Sequence, residues 1–222
     1  MSIPFDDLNG DPGIHGWLHV PAQPTGKAMV LAHGAGGDCQ SKLLVEMSDA
    51  LASSGFTVLR FDLPFRRARP HGPPSPASAI RDRDGLRRAV SIMREQKNNQ
   101  VFLGGHSYGG RQASLLISEE PQLAHALLLF SYPLHPPNKP QQPRTAHFPK
   151  LATPAFFVHG TRDPFATTAE MISALKLIPA PHFMLEVQGA AHDLRPKKTG
   201  NEVPSRVVTE FKIFLKTAIQ GG

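Results

Sequence analysis

One short motif has the residue types of an activated serine nucleophile. The segment 104–110 reads Gly-Gly-His-Ser-Tyr-Gly-Gly and contains G-x-S-x-G with Ser107 at its centre. An apolar run at 101–103 precedes it, and a helix-forming run at 109–118 follows. A serine on a sharp strand-to-helix turn needs small neighbours, and the helix N-terminus behind it favours a developing negative charge. We therefore predict a nucleophile at Ser107; an ordinary glycine-rich turn is the alternative.

A serine hydroxyl needs a base to accept its proton and an acid to orient that base. In enzymes with such a turn, the acid and then the histidine follow the serine. After Glu120 the next acidic residue is Asp163, behind an apolar run at 155–158; its Asp-Pro context also suits a turn residue. Beyond it, His182 precedes the last apolar run and His192 follows that run. Because sites in parallel sheets gather at the carboxyl ends of strands, we predict Asp163 as the acid and His192 as the base.

A second glycine-rich segment, His-Gly-Ala-Gly-Gly at 33–37, follows an apolar run at 28–32. Small residues let backbone N–H groups approach a substrate carbonyl, so we assign the oxyanion hole to the N–H groups of Ala35 and Tyr108. Further candidates for substrate contact are His33, Gly36 and His106. A phosphate-binding loop is the alternative, but the sequence lacks the Walker lysine and a complete G-x-G-x-x-G.

The elements that must position these residues alternate along the chain, which is typical of an α/β fold with a mostly parallel sheet. The predicted strands are residues 17–20, 28–32, 56–61, 101–103, 126–130, 155–158 and 183–187. The predicted helices are residues 41–53, 81–96, 109–118, 168–177 and 203–219. The proline-rich stretches 64–76 and 133–149 are predicted to be loops, because proline lacks an N–H donor and restricts the residue before it. We expect a single domain over residues 1–222 with helices on both faces of the sheet.

The two glycine-rich segments, Asp163 and His192 together resemble the α/β-hydrolase superfamily, over essentially the whole chain. The resemblance implies a serine hydrolase with a Ser-His-Asp triad. More narrowly, Arg-Phe-Asp-Leu-Pro-Phe at 60–65, with the arginines that follow, resembles a small lidless group related to testis-expressed and NSL-complex-subunit proteins. Dienelactone hydrolases are similar in architecture, but their usual nucleophile is cysteine, whereas this chain has Ser107.

The segment between the strands predicted at 126–130 and 155–158 is too short for a capping domain. An open pocket buries less of a ligand, so we expect a small-molecule acyl substrate, small or partly exposed. Arg66 and Arg67 follow the strand predicted at 56–61, and we expect them near the pocket, where they would favour acidic substrates or acidic partner surfaces. A solvated loop is the alternative for both.

Composition excludes several classes of protein. The 222 residues suffice for one self-supporting core, and the single cysteine, Cys39, excludes an intramolecular disulfide framework. No apolar run approaches the roughly 18 residues of a membrane-spanning helix, and residues 1–11 lack a secretory pattern. We therefore expect a cytoplasmic protein without a membrane partner.

The net charge of +6 suggests nucleic-acid binding, but the distribution argues against it. The arginines at 81–94 are interleaved with acidic residues, and no recognition motif accompanies them. We predict no nucleic-acid partner. His33, His106 and His159 lack metal-ligand spacing, so we predict neither a metal nor an organic cofactor. The sequence leaves monomer and homodimer open.

The leading interpretation is a carboxylesterase for short acyl esters. Thioesterase, peptidase and carbon–carbon hydrolase activities use the same machinery and stay open. The alternative from another class is an interaction module on a hydrolase scaffold, with a basic, proline-rich surface that recruits a partner.

Overall fold

The computed structural model describes residues 1–96, 98–196 and 202–219. The strands are β1 (Ser2–Asp7), β2 (Ile14–His19), β3 (Lys27–Ala32), β4 (Phe56–Phe61), β5 (Gln100–His106), β6 (Leu127–Phe130), β7 (Ala155–Gly160) and β8 (His182–Val187). The helices are α1 (Lys42–Ser53), α2 (Pro64–Ala68), α3 (Ala79–Glu95), α4 (Tyr108–Glu119), α5 (Thr168–Leu175) and α6 (Val203–Ile219). None of these helices combines the length and apolarity needed to cross a bilayer.

All eight strands form one sheet in the order β1-β2-β4-β3-β5-β6-β7-β8. The pairs β1–β2 and β2–β4 are antiparallel, and every other pair is parallel. The carboxyl ends of β3, β5, β7 and β8 therefore lie along one edge, which is where the four chemistry-bearing segments begin.

Two apolar cores cover the two faces of the sheet. Strand β3 shows why: Ala28, Val30 and Ala32 belong to one core, while Met29 and Leu31 belong to the other. Side chains alternate between faces along a strand, so a strand covered on both sides is apolar throughout. Helices α3, α4 and α5 pack in the first core, and α1 and α6 in the second. The predicted α/β architecture with helices on both faces is confirmed.

Two elements differ from the prediction. The edge strand β1 was not predicted, because its side chains are mostly exposed and the sequence carries no apolar run there. The stretch predicted as a loop at 64–76 begins with the short helix α2. Pro64 occupies the first helical position, where a missing N–H costs nothing because that group has no acceptor in the helix. The other predicted strands and helices are present, with ends that shift by a few residues.

The prediction that no cap is inserted after β6 is also confirmed. The segment 131–154, described in full, contains only a single 3₁₀ turn at Phe148–Lys150. The carboxyl edge of the sheet near Ser107 is therefore not covered by a second layer from this segment.

Candidate active site

Ser107 occupies a strained turn between β5 and α4. Its φ of 50° and ψ of −113° lie outside the regions that ordinary residues prefer. Ser107 N–H donates to the Phe130 carbonyl at 2.9 Å, and the Ser107 carbonyl accepts from the Arg111 amide at 2.9 Å. Strand β6 and the first turn of α4 thus hold the turn from both sides. Strain of this kind is maintained by surrounding structure and is frequent at functional sites.

The two glycines of G-x-S-x-G allow the turn to approach β3 closely. A Cβ atom at Gly105 would lie 2.4 Å from the Ala32 carbonyl oxygen, and one at Gly109 would lie 2.6 Å from the His33 carbonyl oxygen. Both distances are far below van der Waals contact, so a side chain at either position would force the backbone apart. The small residues therefore bring the serine next to the segment that follows β3.

The structure brings Ser107, His192 and Asp163 together in one hydrogen-bonded chain. The Ser107 Oγ lies 2.8 Å from His192 Nε2. His192 Nδ1 lies 2.8 Å from Asp163 Oδ2 and 3.0 Å from Asp163 Oδ1. The carboxylate accepts only, so Nδ1 carries a proton and Nε2 is left to accept from the hydroxyl. This tautomer is the one a general base next to a serine requires.

The carboxylate of Asp163 is buried and fixed by its own loop. Its side chain has no solvent exposure. Oδ1 also accepts from the Phe165 amide at 2.9 Å. The same side chain thus closes a local turn and contacts His192, so the two interpretations of Asp163 are compatible, and its role as the acid stays a prediction. The Phe165 ring lies 4.3 Å from the imidazole centroid of His192 and limits its tilt.

His106 holds the main chain of His192. Its Nε2 donates to the His192 carbonyl at 2.8 Å, and the two rings lie 4.9 Å apart. Burial, together with the proximity of His192, lowers the pKa of His106 to about 4. A neutral imidazole therefore makes this contact near pH 7. His106 lines the pocket, so both a positioning role and substrate contact are open to it.

The segment after β3 presents its backbone beside the serine. The Leu63 amide donates to His33 Nε2 at 3.1 Å, which leaves the protonated Nδ1 to donate to the Gly34 carbonyl at 2.8 Å. Burial lowers the pKa of His33, so the ring is neutral. The Tyr108 amide opens α4 and has no acceptor within that helix. Ala35 lines the same cleft as Ser107, and the assignment of the N–H groups of Ala35 and Tyr108 as oxyanion donors stays a prediction.

A cleft of about 500 Å³ contains the hydroxyl of Ser107. Its lining includes Ala35, Gly36, His106, Phe165, Lys42 and Arg195. Glu46 lies 3.8 Å from the Lys42 ammonium and 3.2 Å from the Arg195 guanidinium, so one carboxylate serves both cations. Volumes of 300–1,000 Å³ suit small organic ligands.

Three of the candidates for substrate contact are not among the residues that line the cleft. His33 is fully buried, and its two ring nitrogens bind backbone groups. Arg66 is 8% exposed and binds backbone carbonyls. Arg67 is exposed on α2 and is not among the residues that line the cleft. Phe165, Lys42 and Arg195 line it instead; only Phe165 had a signal in the sequence, its position two residues after Asp163.

Comparison with known proteins identifies the family and the fold. Residues 25–218 match the family described as alpha/beta hydrolase domain. The chain belongs to that family. Its fold is similar to that of a dienelactone hydrolase from Anabaena variabilis, with a TM-score of 0.75, 16% identity and 98% of each chain covered. It is also similar to Est1E from Butyrivibrio proteoclasticus, with a TM-score of 0.73, 16% identity, and 96% of this chain and 97% of that chain covered.

A third similar structure is an α/β serine hydrolase without lid from Xanthomonas campestris. Its TM-score is 0.68 at 15% identity, over 99% of this α/β-hydrolase chain and 94% of the other. At such identities the likeness concerns the fold. The narrower resemblance to the group related to testis-expressed and NSL-complex-subunit proteins stays a prediction.

Proposed function

We propose that this α/β hydrolase is a carboxylesterase that cleaves small acyl esters through a covalent acyl-enzyme. The observation that carries the proposal is the continuous contact from Asp163 through His192 to the hydroxyl of a strained Ser107. A buried acid, a correctly protonated imidazole and a hydroxyl at the wall of the cleft together activate a serine at neutral pH.

The reaction follows from these positions. Ser107 Oγ attacks the ester carbonyl carbon while its proton passes to His192 Nε2, and Asp163 stabilises the imidazolium that forms. The carbonyl oxygen becomes an oxyanion, which the N–H groups of Ala35 and Tyr108 bind. His192 returns the proton to the alcohol as the C–O bond breaks, which leaves an acyl-serine. Water, deprotonated by the same histidine, attacks the acyl carbon, and the carboxylic acid leaves as Ser107 regains its proton.

The shape of the cleft supports a small substrate. The cleft opens at the carboxyl edge of the sheet, and the segment 131–154 places no cap above it. A long acyl chain would extend into solvent and gain little from burial, at roughly 25 cal/mol per Å² of apolar surface. We therefore expect acetyl and butyryl esters to be cleaved with a higher kcat/KM than long-chain esters.

Fluorophosphonate labelling tests the nucleophile, and p-nitrophenyl esters of increasing chain length test the substrate. Wild type should be labelled and should hydrolyse the short esters, whereas Ser107→Ala should do neither. Ser118→Ala removes a hydroxyl of α4 that donates to the Leu115 carbonyl of the same helix; it is the matched control and should behave as wild type. Folded wild-type protein that neither labels nor turns over esters would favour the interaction module. Labelling that persists in Ser107→Ala would place the nucleophile elsewhere.

A further inference from the structure

Arg66 contacts the segment that carries one of the two candidate oxyanion donors. Its Nε donates to the Gly37 carbonyl at 2.8 Å, and its Nη2 donates to the Ala35 carbonyl at 2.8 Å. The side chain thus crosses from α2 to the segment after β3 and binds two of its carbonyls. We call that segment, residues 34–37, the oxyanion loop.

The remaining donors of Arg66 bind the proline-rich stretch. Nη1 donates to the carbonyls of Arg69 at 3.3 Å and Pro70 at 2.7 Å, and Nη2 also donates to the Gly72 carbonyl at 3.2 Å. A guanidinium has five N–H donors, so each is matched to one carbonyl. No donor is left to bind a substrate carboxylate. Arg66 instead ties the oxyanion loop to residues 69–72.

The hydrogen bonds that the loop's carbonyls accept also set the direction of the loop's N–H groups. In a planar trans peptide the C=O and N–H point in opposite directions. The Gly34 carbonyl accepts from His33 Nδ1 and from the Gly37 amide at 3.1 Å, so the Ala35 N–H points away from them. Arg66 holds the next carbonyl, that of Ala35, so Ala35 is fixed on both sides: its own N–H peptide by the contacts to Gly34, and the peptide that follows it by Arg66. Without Arg66, the Ala35 carbonyl would lose this contact, and the Ala35–Gly36 peptide would be restrained less, since glycine at 36 imposes little restriction.

Helix α2, which carries Arg66, also contacts Tyr108, the residue that supplies the other candidate oxyanion donor. The Phe65 amide donates to Asp82 Oδ1 at 2.9 Å, and the Tyr108 hydroxyl donates to Asp82 Oδ2 at 2.7 Å. The Phe65 and Tyr108 rings pack edge to face at 5.5 Å, and the Arg66 guanidinium lies 5.0 Å from the Phe65 ring. Helix α2 therefore connects both sides of the proposed oxyanion hole.

We propose that Arg66 is a positioning residue of the oxyanion hole, which it preorganises by holding the backbone of residues 35–37 against α2. The proposal rests on the esterase function proposed above. Preorganised N–H donors stabilise the transition state because they need no reorientation as charge develops. Loss of Arg66 should therefore lower kcat much more than it changes KM.

The test compares Arg66→Met, Arg66→Lys and the control Arg94→Met. Arg94 also donates to backbone carbonyls, those of Gln122 and Leu123, but it lies on α3 outside the cleft. Hydrolysis of p-nitrophenyl acetate is measured per active site, with sites counted by fluorophosphonate titration so that unfolded protein does not contribute. Hydrogen exchange of peptides that cover residues 34–38 measures the order of the oxyanion loop independently of activity.

Arg66→Met should lower kcat about 10- to 100-fold with KM changed less than about threefold, and should speed exchange of the loop. Arg66→Lys, whose three donors share one nitrogen, should recover part of kcat, and Arg94→Met should stay within about twofold of wild type. An unchanged kcat per site in both Arg66 variants would overturn the proposal, and so would unchanged exchange. If Arg66→Met does not fold, Arg66→Lys decides the question with an expected loss of about tenfold. Inactive wild type would instead count against the esterase, and loop exchange would then decide whether Arg66 holds the loop.

Discussion

Replacing Asp163 with asparagine tests the acid of the proposed triad without changing its shape. The carboxylate has two tasks: Oδ1 accepts from the Phe165 amide at 2.9 Å, and Oδ2 accepts from His192 Nδ1 at 2.8 Å. An asparagine has one oxygen and one NH₂ group. If its oxygen takes the Phe165 N–H, its NH₂ faces Nδ1.

Nδ1 must then accept, so the ring proton moves to Nε2 and points at Ser107. The hydroxyl loses its acceptor, because a protonated Nε2 cannot take the serine proton. The wrong tautomer in an otherwise intact triad lowers kcat about 10⁴-fold. At about 1.4 kcal/mol per factor of ten, this corresponds to about 5 kcal/mol of transition-state stabilisation. Folding should change much less, since the turn contact to Phe165 is retained.

The assay is kcat for p-nitrophenyl acetate, with fluorophosphonate labelling rates in parallel and the melting temperature as a check on folding. Glu186→Gln is the matched control, because Glu186 is another acid between Ser107 and His192 and lies within β8. We expect that control to stay within about twofold of wild type, since Glu186 is not among the residues that line the cleft and the carboxylate at His192 Nδ1 is that of Asp163. An Asp163→Asn variant that keeps more than a tenth of wild-type kcat would refute the assignment of the acid, and a large loss in Glu186→Gln would move it to β8.

Two further predictions concern the Phe165 ring beside His192 and the buried His147. Phe165→Ala removes the ring that lies 4.3 Å from the His192 imidazole, so kcat/KM for p-nitrophenyl acetate should fall about tenfold; unchanged kinetics would show that the ring does not position the base. Burial lowers the pKa of His147 to about 4, so as pH falls below about 6.5 the unfolded state gains a proton that the folded state does not. The free energy of unfolding should therefore decrease from pH 7 to pH 4, by up to about 3 kcal/mol from this residue. Urea unfolding of His147→Gln should show a shallower decrease, and an equal slope in both proteins would contradict the prediction.

The strands and helices were predictable because burial on both faces leaves continuous apolar runs. Phe56–Phe61 and Val203–Ile219 have the predicted bounds for that reason. Strand β5 extends three residues beyond the predicted 101–103, because Gly104, Gly105 and His106 carry no apolar signal, yet their backbones continue the ladder to β6. The mostly exposed β1 had no such signal at all.

The order of the candidate site residues was predictable, but several of their contacts were not. The expected order is the one observed: Ser107, then Asp163, then His192. Each follows a strand whose carboxyl end lies at the same edge of the sheet, so the topology brings the three residues together. The contact of Arg66 with Ala35 joins segments that only the pairing of β3 with β4 makes adjacent. The sequence places arginines after a strand, but it does not show which atoms accept their hydrogen bonds.

The bonding of arginines to backbone carbonyls also helps to explain the net charge of +6. Arg60, Arg66, Arg94 and Arg144 all donate to backbone carbonyls, and within the described residues none of the four is in an ion pair. Each contributes a positive charge, and part of its hydrogen-bonding capacity is satisfied by neutral carbonyls within the fold. By contrast Arg87, on α3, pairs with Glu120 at 2.6 Å and with Asp84 at 2.5 Å. Part of the basic excess therefore arises from arginines that organise loops and strand ends, because a guanidinium that binds neutral carbonyls raises the net charge without creating a basic binding surface.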